Sequence, residues 1–150
     1  MKRSTVIAIC VTLLSLAWSS IAEAQARNGF TDATLNDRYG FHVLALSLGL
    51  PDVTTGSSYP FAVSGYYEFN GDGTLSGKDT VSTQGSIIKR SYTGTYHVNS
   101  NGIGTLKLDI SPSFQPVGDF TITDNGKSVE IIFAVPGNLN AFTLHEQSPN

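Results

Sequence analysis

Residues 70–73 read Asn-Gly-Asp-Gly and lie between two runs rich in β-branched and aromatic residues. The same arrangement recurs at residues 99–102, Asn-Ser-Asn-Gly, and at residues 124–127, Asp-Asn-Gly-Lys. Asn and Gly adopt the positive φ angles that tight chain reversals require. Each segment therefore predicts a β-hairpin, and three of them at regular spacing indicate a chain that folds back on itself antiparallel.

The rest of the chain supports an all-β domain. Apolar and polar residues alternate with a period of two through most of it, and no stretch keeps the three- and four-residue spacing of a helix for long. Eight antiparallel strands joined by short loops favour an up-and-down barrel, because closure removes the two unpaired edges of an open sheet. A β-sandwich is the alternative. The strands are predicted near residues 38–48, 59–69, 74–82, 87–98, 103–110, 118–123, 128–135 and 139–145.

The first segment has the pattern of a secretory signal. Lys2 and Arg3 precede an apolar run over residues 6–18, and Ala22 and Ala24 are the small residues that a signal peptidase accepts. This run is shorter than the roughly 20 residues that a membrane span needs. We expect a signal peptide at residues 1–24, a single domain at residues 25–150, no membrane span, and a secreted or periplasmic location. Cleavage after Ala26 is the alternative.

The cysteine content and the net charge argue against several classes of function. The one cysteine, Cys10, lies in the apolar run, so the mature chain would have neither a disulfide framework nor a cysteine nucleophile. Without residues 1–24, the nine basic and twelve acidic residues of the chain become seven and eleven, a net charge of −4. No basic cluster is present, which argues against nucleic acid as a partner. The three histidines are far apart in sequence, so we predict no metal site and no cofactor.

The hairpin over residues 92–106 resembles hairpins of small secreted bacterial barrels of uncharacterised function. The whole of residues 36–146 resembles, in strand number and strand length, the calycin-like architecture shared by lipocalins and allene oxide cyclases. The Gly-x-Trp signature of lipocalins is missing, because Trp18 is the only tryptophan and belongs to the signal segment. The resemblance therefore implies a barrel and transfers no catalytic residue.

The turns also predict which side chains face one another inside the barrel. With a turn at residues 70–73, Gly65 faces Asp79, and with a turn at Gln84-Gly85, Asp79 faces Arg90. An acid and a base then meet on the apolar face, where an Arg fork can fix a polar group. The alternative is a purely structural ion pair among core tyrosines. The candidate ligand-binding residues are Tyr67, Asp79, Arg90, Tyr92, Tyr96 and Phe114; in an enzyme, Asp79, Arg90 and Tyr92 would be catalytic.

The two barrel ends are predicted to differ. The three short polar turns fall at one end of a meander, whereas longer loops at residues 49–58, 82–87 and 111–118 frame the other end, which is the expected mouth. The leading hypothesis is a barrel that binds an apolar or amphipathic small molecule through this mouth. One alternative is a cofactor-free isomerase or cyclase on the same barrel, similar to allene oxide cyclases. Another is a filled barrel with a structural or surface-interaction role.

The strand at residues 131–135 is apolar on both faces, Ile-Ile-Phe-Ala-Val. Such a strand is covered on its outer face or lies in an interface. A homo-oligomer through Ile132 and Ala134 is one explanation. Packing by the N-terminal segment around Phe30 and Leu35 is the other. His42 shares its alternation with Leu44, which allows an inward-facing histidine in the first strand.

Overall fold

The computed structural model describes residues 29–47, 59–135 and 138–147, so the predicted signal peptide lies outside the described residues. The chain forms a closed barrel of eight antiparallel strands in sequence order. Strand β8 pairs with β1, which excludes a sandwich and confirms the up-and-down barrel. The strands are β1 Arg38–Ser47, β2 Tyr59–Phe69, β3 Thr74–Thr83, β4 Ser86–Val98, β5 Ile103–Asp109, β6 Val117–Thr123, β7 Ser128–Val135 and β8 Asn138–Glu146.

The register is the one that the turns predict. Gly71, Gly73 and Gly102 have positive φ angles, as the tight reversals require. The position of a turn determines which residues of its two strands pair. It therefore also determines which face of the sheet each side chain of the hairpin points to. The predicted pairs of Gly65 with Asp79 and of Asp79 with Arg90 are confirmed. The same register pairs Phe69 with Leu75, Gly77 with Tyr92, and Tyr96 with Leu106.

The short-turn end of the barrel is filled by aromatic side chains. The ring of Phe69 lies edge-on to Tyr39 at 5.4 Å and to Tyr96 at 4.9 Å between ring centroids. Each of these side chains is buried. Edge-to-face packing adds to the stabilisation that burial of aromatic area provides, so this end has a solid core.

A segment before the first strand closes the same end. It contains a 3₁₀ turn over Asp32–Thr34, followed by Leu35, whose exposed fraction is 0%. The hydroxyl of Tyr96 lies 2.9 Å from the carbonyl oxygens of both Asp32 and Leu35. The backbone N–H of Val98 donates to Asp32 Oδ1 at 2.6 Å. Residues 29–37 therefore form a cap, which we call the N-terminal cap.

The position of the N-terminal cap shows that one prediction was wrong, namely that the segment around Phe30 and Leu35 covers the outer face of β7. Leu35 packs into the closed end, and Phe30 packs with the core beside Gly102. Neither covers the outer face of β7, where Ile132 is 61% exposed and Ala134 is also exposed. Among the described residues, the N-terminal segment does not explain the apolar outer face of that strand.

The orientation of the side chains in β1 corrects the prediction that His42 can point inward. Tyr39 pairs with Tyr67 and Val43 pairs with Val63, and Tyr39, Phe41 and Val43 are buried, so these three side chains of β1 point inward. His42 is exposed and Leu44 is 84% exposed. An inward-facing His42 is wrong, because β1 carries apolar residues on both faces and its alternation alone does not choose between them. Within the described ranges, no helix has the length and hydrophobicity needed to cross a membrane.

Candidate functional site

A cavity of about 80 Å³ lies inside the half of the barrel away from the N-terminal cap. Apolar side chains form most of its wall, among them Phe41, Val63, Leu108 and Phe133. It is smaller than the roughly 150 Å³ of an engineered cavity that holds a benzene molecule. Its polar groups come from Tyr67, Asp79, Arg90, Tyr92 and Asn140. The predicted acid and base therefore line a largely apolar cavity.

Asp79 and Arg90 form a two-pronged ion pair. Arg90 Nε donates to Asp79 Oδ1 at 2.8 Å, and Arg90 Nη2 donates to Asp79 Oδ2 at 2.7 Å. The Asp79 side chain is 3% exposed and the Arg90 side chain is 26% exposed. Burial acts to lower the pKa of Arg90, but the hydrogen bonds and charge of Asp79 outweigh it and raise that pKa. The guanidinium therefore keeps its positive charge inside the barrel mouth.

Two glycines make space for these side chains in adjacent strands. A Cβ at Gly65 would lie 2.6 Å from Asp79 Cβ. A Cβ at Gly77 would lie 2.7 Å from Tyr92 Cζ and 3.0 Å from Tyr67 Cδ1. Side chains at either position would collide with their cross-strand partners, so the glycines permit large residues in a narrow interior.

The tyrosine hydroxyls extend the polar group into the core. Tyr92 donates to Asp79 Oδ2 at 3.1 Å, and its ring packs against Tyr67 with centroids 6.0 Å apart. Burial raises the pKa of Tyr67 and of Tyr92; the nearby Tyr67 and the negative charge of Asp79 raise that of Tyr92 further. Both hydroxyls therefore stay protonated, and Asp79 accepts three hydrogen bonds.

Hydrogen-bonding capacity remains in this cavity. A guanidinium carries five N–H donors, and Asp79 takes two of those of Arg90. The other three have no hydrogen-bond partner among the described residues. Asn140 Oδ1 is buried and also lacks a partner there. The cavity can thus hold a polar ligand group against apolar walls.

The loop after β5 partly covers the cavity. Ser111 and Phe114 pair through two backbone hydrogen bonds of 3.2 and 3.1 Å, and the N–H of Leu108 donates to the carbonyl of Pro116 at 3.0 Å. These bonds hold the partly buried Phe114 and the buried Pro116 at the cavity wall. The predicted mouth loop at residues 49–58 lies outside the described residues.

The structure brings together Tyr67, Asp79, Arg90, Tyr92 and Phe114, and it separates Tyr96 from them. The hydroxyl of Tyr96 contacts the N-terminal cap at the opposite end. Sequence reasoning missed Asn140, which was detectable, because it shares its alternation with the buried Leu144 in a strand predicted over residues 139–145.

In the part of the chain that the structure describes, no three His, Cys, Asp or Glu side chains form a group that could hold a metal ion. Comparison of the chain with protein-family models, with curated proteins and with solved structures finds no match in any of the three.

Proposed function

We propose that this chain is a secreted or periplasmic, calycin-like barrel that binds a small apolar or amphipathic molecule through the end opposite the N-terminal cap. The observation that carries the proposal is the cavity itself, whose apolar wall carries a polar cluster around Asp79 and Arg90 and, on β8, Asn140. Ligand sites commonly combine apolar walls with a few polar groups that orient the ligand.

The difference between the two ends supports this site. At the capped end, the hydroxyl of Tyr96 and the N–H of Val98 are already bonded to protein acceptors. At the other end, the buried Asn140 Oδ1 and three N–H donors of the partly exposed Arg90 have no partner among the described residues. A polar ligand group gains most where buried groups still need a partner.

The volume restricts the ligand. About 80 Å³ accommodates only a slim group. We propose that a narrow part of the ligand enters the cavity and that the remainder lies against Phe114 and Pro116 in the loop over residues 111–118. An alternative structural role is favoured by the same small volume, since side chains fill most of the barrel.

The isomerase or cyclase alternative has less support. Asp79 accepts bonds from two nitrogens of Arg90 and from the hydroxyl of Tyr92. A carboxylate engaged in this way is better suited to positioning its partners than to taking up a proton from a substrate.

Native mass spectrometry of the protein purified from its own host tests the proposed binding. We expect a co-purified small molecule, lost on Val81→Phe, because Val81 is buried at the cavity wall and a larger side chain would fill the space. Ile132→Phe is the matched control on the outer surface and should retain the molecule. Absence of any bound mass, or its retention in Val81→Phe, would count against the proposal and favour the structural role.

We also propose a homo-oligomer through Ile132 and Ala134. Both are exposed. Asp119 pairs with Ile132, and Lys107, which lies 3.4 Å from Asp109, is two strands from Ala134 on the same outer face. A second copy related by a two-fold axis can therefore place charged side chains of both signs around an apolar centre. Sedimentation of the wild type as a dimer and of Ile132→Asp as a monomer would support the interface. Ile87→Asp is the control, since Ile87 is equally exposed elsewhere. A strictly monomeric wild type would remove the proposal.

A further inference from the structure

We infer that the ligand of this cavity is electrically neutral and presents a hydrogen-bond acceptor, most simply a carbonyl oxygen, to Arg90. The inference rests on the proposed binding function and adds the chemical class of the ligand. It follows from the charges and the hydrogen-bonding groups that line the cavity.

The charge argument starts from the ion pair. Among the described residues that line the cavity, Asp79 and Arg90 are the only acidic and basic ones, and their charges cancel. A ligand anion beside Arg90 would also lie beside the Asp79 carboxylate, which is 2.7 Å from the same guanidinium. It would lose its hydration without gaining an unopposed positive charge. A ligand cation beside the Asp79 carboxylate would likewise lie beside the positive charge of Arg90.

The hydrogen-bond argument gives the polarity of the ligand group. Three N–H donors of Arg90 have no partner among the described residues, whereas Asp79 already accepts three bonds. The hydroxyl proton of Tyr92 is donated to Asp79. Beside Arg90 the unused groups are donors, so the ligand atom placed there is an acceptor. The unused acceptor Asn140 Oδ1 lies on β8, which does not neighbour β3 or β4.

The apolar wall requires that the rest of the ligand be hydrocarbon. Val81 lies on β3, the strand that carries Asp79, and Val63 lies on the neighbouring β2. Leu108 on β5 and Phe133 on β7 extend the apolar wall. A neutral carbonyl on an aliphatic chain satisfies the donors of Arg90 and buries its chain against these side chains. Aliphatic ketones, aldehydes, esters and amides share this chemistry.

Three probes with the same chain length test the inference: 2-heptanone, heptanoate and heptylammonium, each titrated into the wild-type protein at neutral pH by NMR. We expect 2-heptanone to bind about tenfold more tightly than either ion, because an ion would be desolvated beside a neutral pair. Tighter binding of heptanoate or heptylammonium would overturn the inference and leave the binding function standing. Failure of all three probes to bind in the cavity would remove both.

A substitution that uncovers one charge gives a second test. Asp79→Asn keeps the shape of the side chain and leaves the charge of Arg90 unopposed, so the preference should invert in favour of heptanoate. Asp119→Asn changes the net charge of the protein equally on the exposed outer face of β6 and should keep the wild-type preference. Unchanged preference in Asp79→Asn would contradict the inference. The wild-type comparison remains decisive if this variant does not fold.

Discussion

Asp79 and Arg90 face each other across β3 and β4, and two nitrogens of the guanidinium donate to the two carboxylate oxygens at 2.8 and 2.7 Å. The pair lies inside the barrel, with Tyr92 bonded to the same carboxylate. Because both charges are removed from bulk water, each depends on the other for its stability in the folded state.

The first prediction concerns the dependence of these two charges on each other. Arg90→Leu leaves the Asp79 carboxylate buried without its partner and should lower the free energy of unfolding by about 3 kcal/mol. The double variant Asp79→Leu/Arg90→Leu removes both charges and should recover most of that loss. Urea unfolding measures all three proteins.

Arg38→Leu is the control for this comparison. It breaks the pair between Arg38 and Glu68, whose side chains are both about half exposed, and should cost less than about 1 kcal/mol. A double variant as unstable as Arg90→Leu would show that the mutual neutralisation of Asp79 and Arg90 does not account for their stability.

The second prediction concerns the space opposite Tyr92. Gly77→Ala places a methyl group against the rings of Tyr92 and Tyr67 and should cost about 1–3 kcal/mol through overpacking. Gly40→Ala is the control in another strand, because the atoms nearest to its added methyl belong to the flexible Gln147 side chain. It should change stability by less than about 0.5 kcal/mol. Equal effects in thermal or urea unfolding would be inconsistent with the crowding at Gly77.

The third prediction distinguishes the N-terminal cap from surface hydrophobicity. Leu35→Ala empties a fully buried position and should destabilise the protein by about 2–5 kcal/mol. Leu44→Ala removes the same atoms from a side chain that is 84% exposed and should have an effect below about 0.5 kcal/mol. Similar losses of unfolding free energy in the two variants would refute the role assigned to the N-terminal cap.

The fourth prediction concerns alkaline stability. Burial, with the negative charges of Glu146 and Asp37, raises the pKa of Tyr39 to about 12. In the unfolded chain a tyrosine titrates near pH 10, so above about pH 10 the unfolded state loses this proton first. The unfolded state then binds fewer protons than the native state, and stability falls as pH rises from about 10 to 12.

Tyr39→Phe tests this contribution. The variant loses the hydrogen bond that the hydroxyl donates to the carbonyl of Gly126, so it should be less stable at neutral pH. Its stability should decline less steeply than that of the wild type across the same alkaline range. An equally steep decline, measured by urea unfolding at several pH values, would rule out Tyr39 as a source of the alkaline loss.

Much of this fold could be predicted from the sequence, because short turn segments and the alternation of apolar and polar residues determine the strands and their pairing. The turn at residues 70–73 fixes the register of β2 and β3, and the turn at Gln84-Gly85 fixes the register of β3 and β4, in which Asp79 meets Arg90. The strand bounds agree to within one or two residues with those read from the alternation.

Other features depend on contacts that are distant in sequence. Asp32 accepts from the N–H of Val98, 66 residues away, and no local pattern signals that bond. The same cap engages the hydroxyl of Tyr96, which alternation alone places with the other inward-facing tyrosines. The facing of β1 was ambiguous because Phe41 and Leu44 make both of its faces apolar.

Methyl-resolved NMR of the protein titrated with 2-heptanone shows whether a small molecule binds inside the barrel, and at which end. We predict saturable shifts at the cavity methyls of Val63, Val81 and Leu108, with no shift at Leu35 or Val98 beside the N-terminal cap. Shifts confined to the capped end, or no saturable shift at the cavity methyls, would contradict binding in the cavity opposite the N-terminal cap.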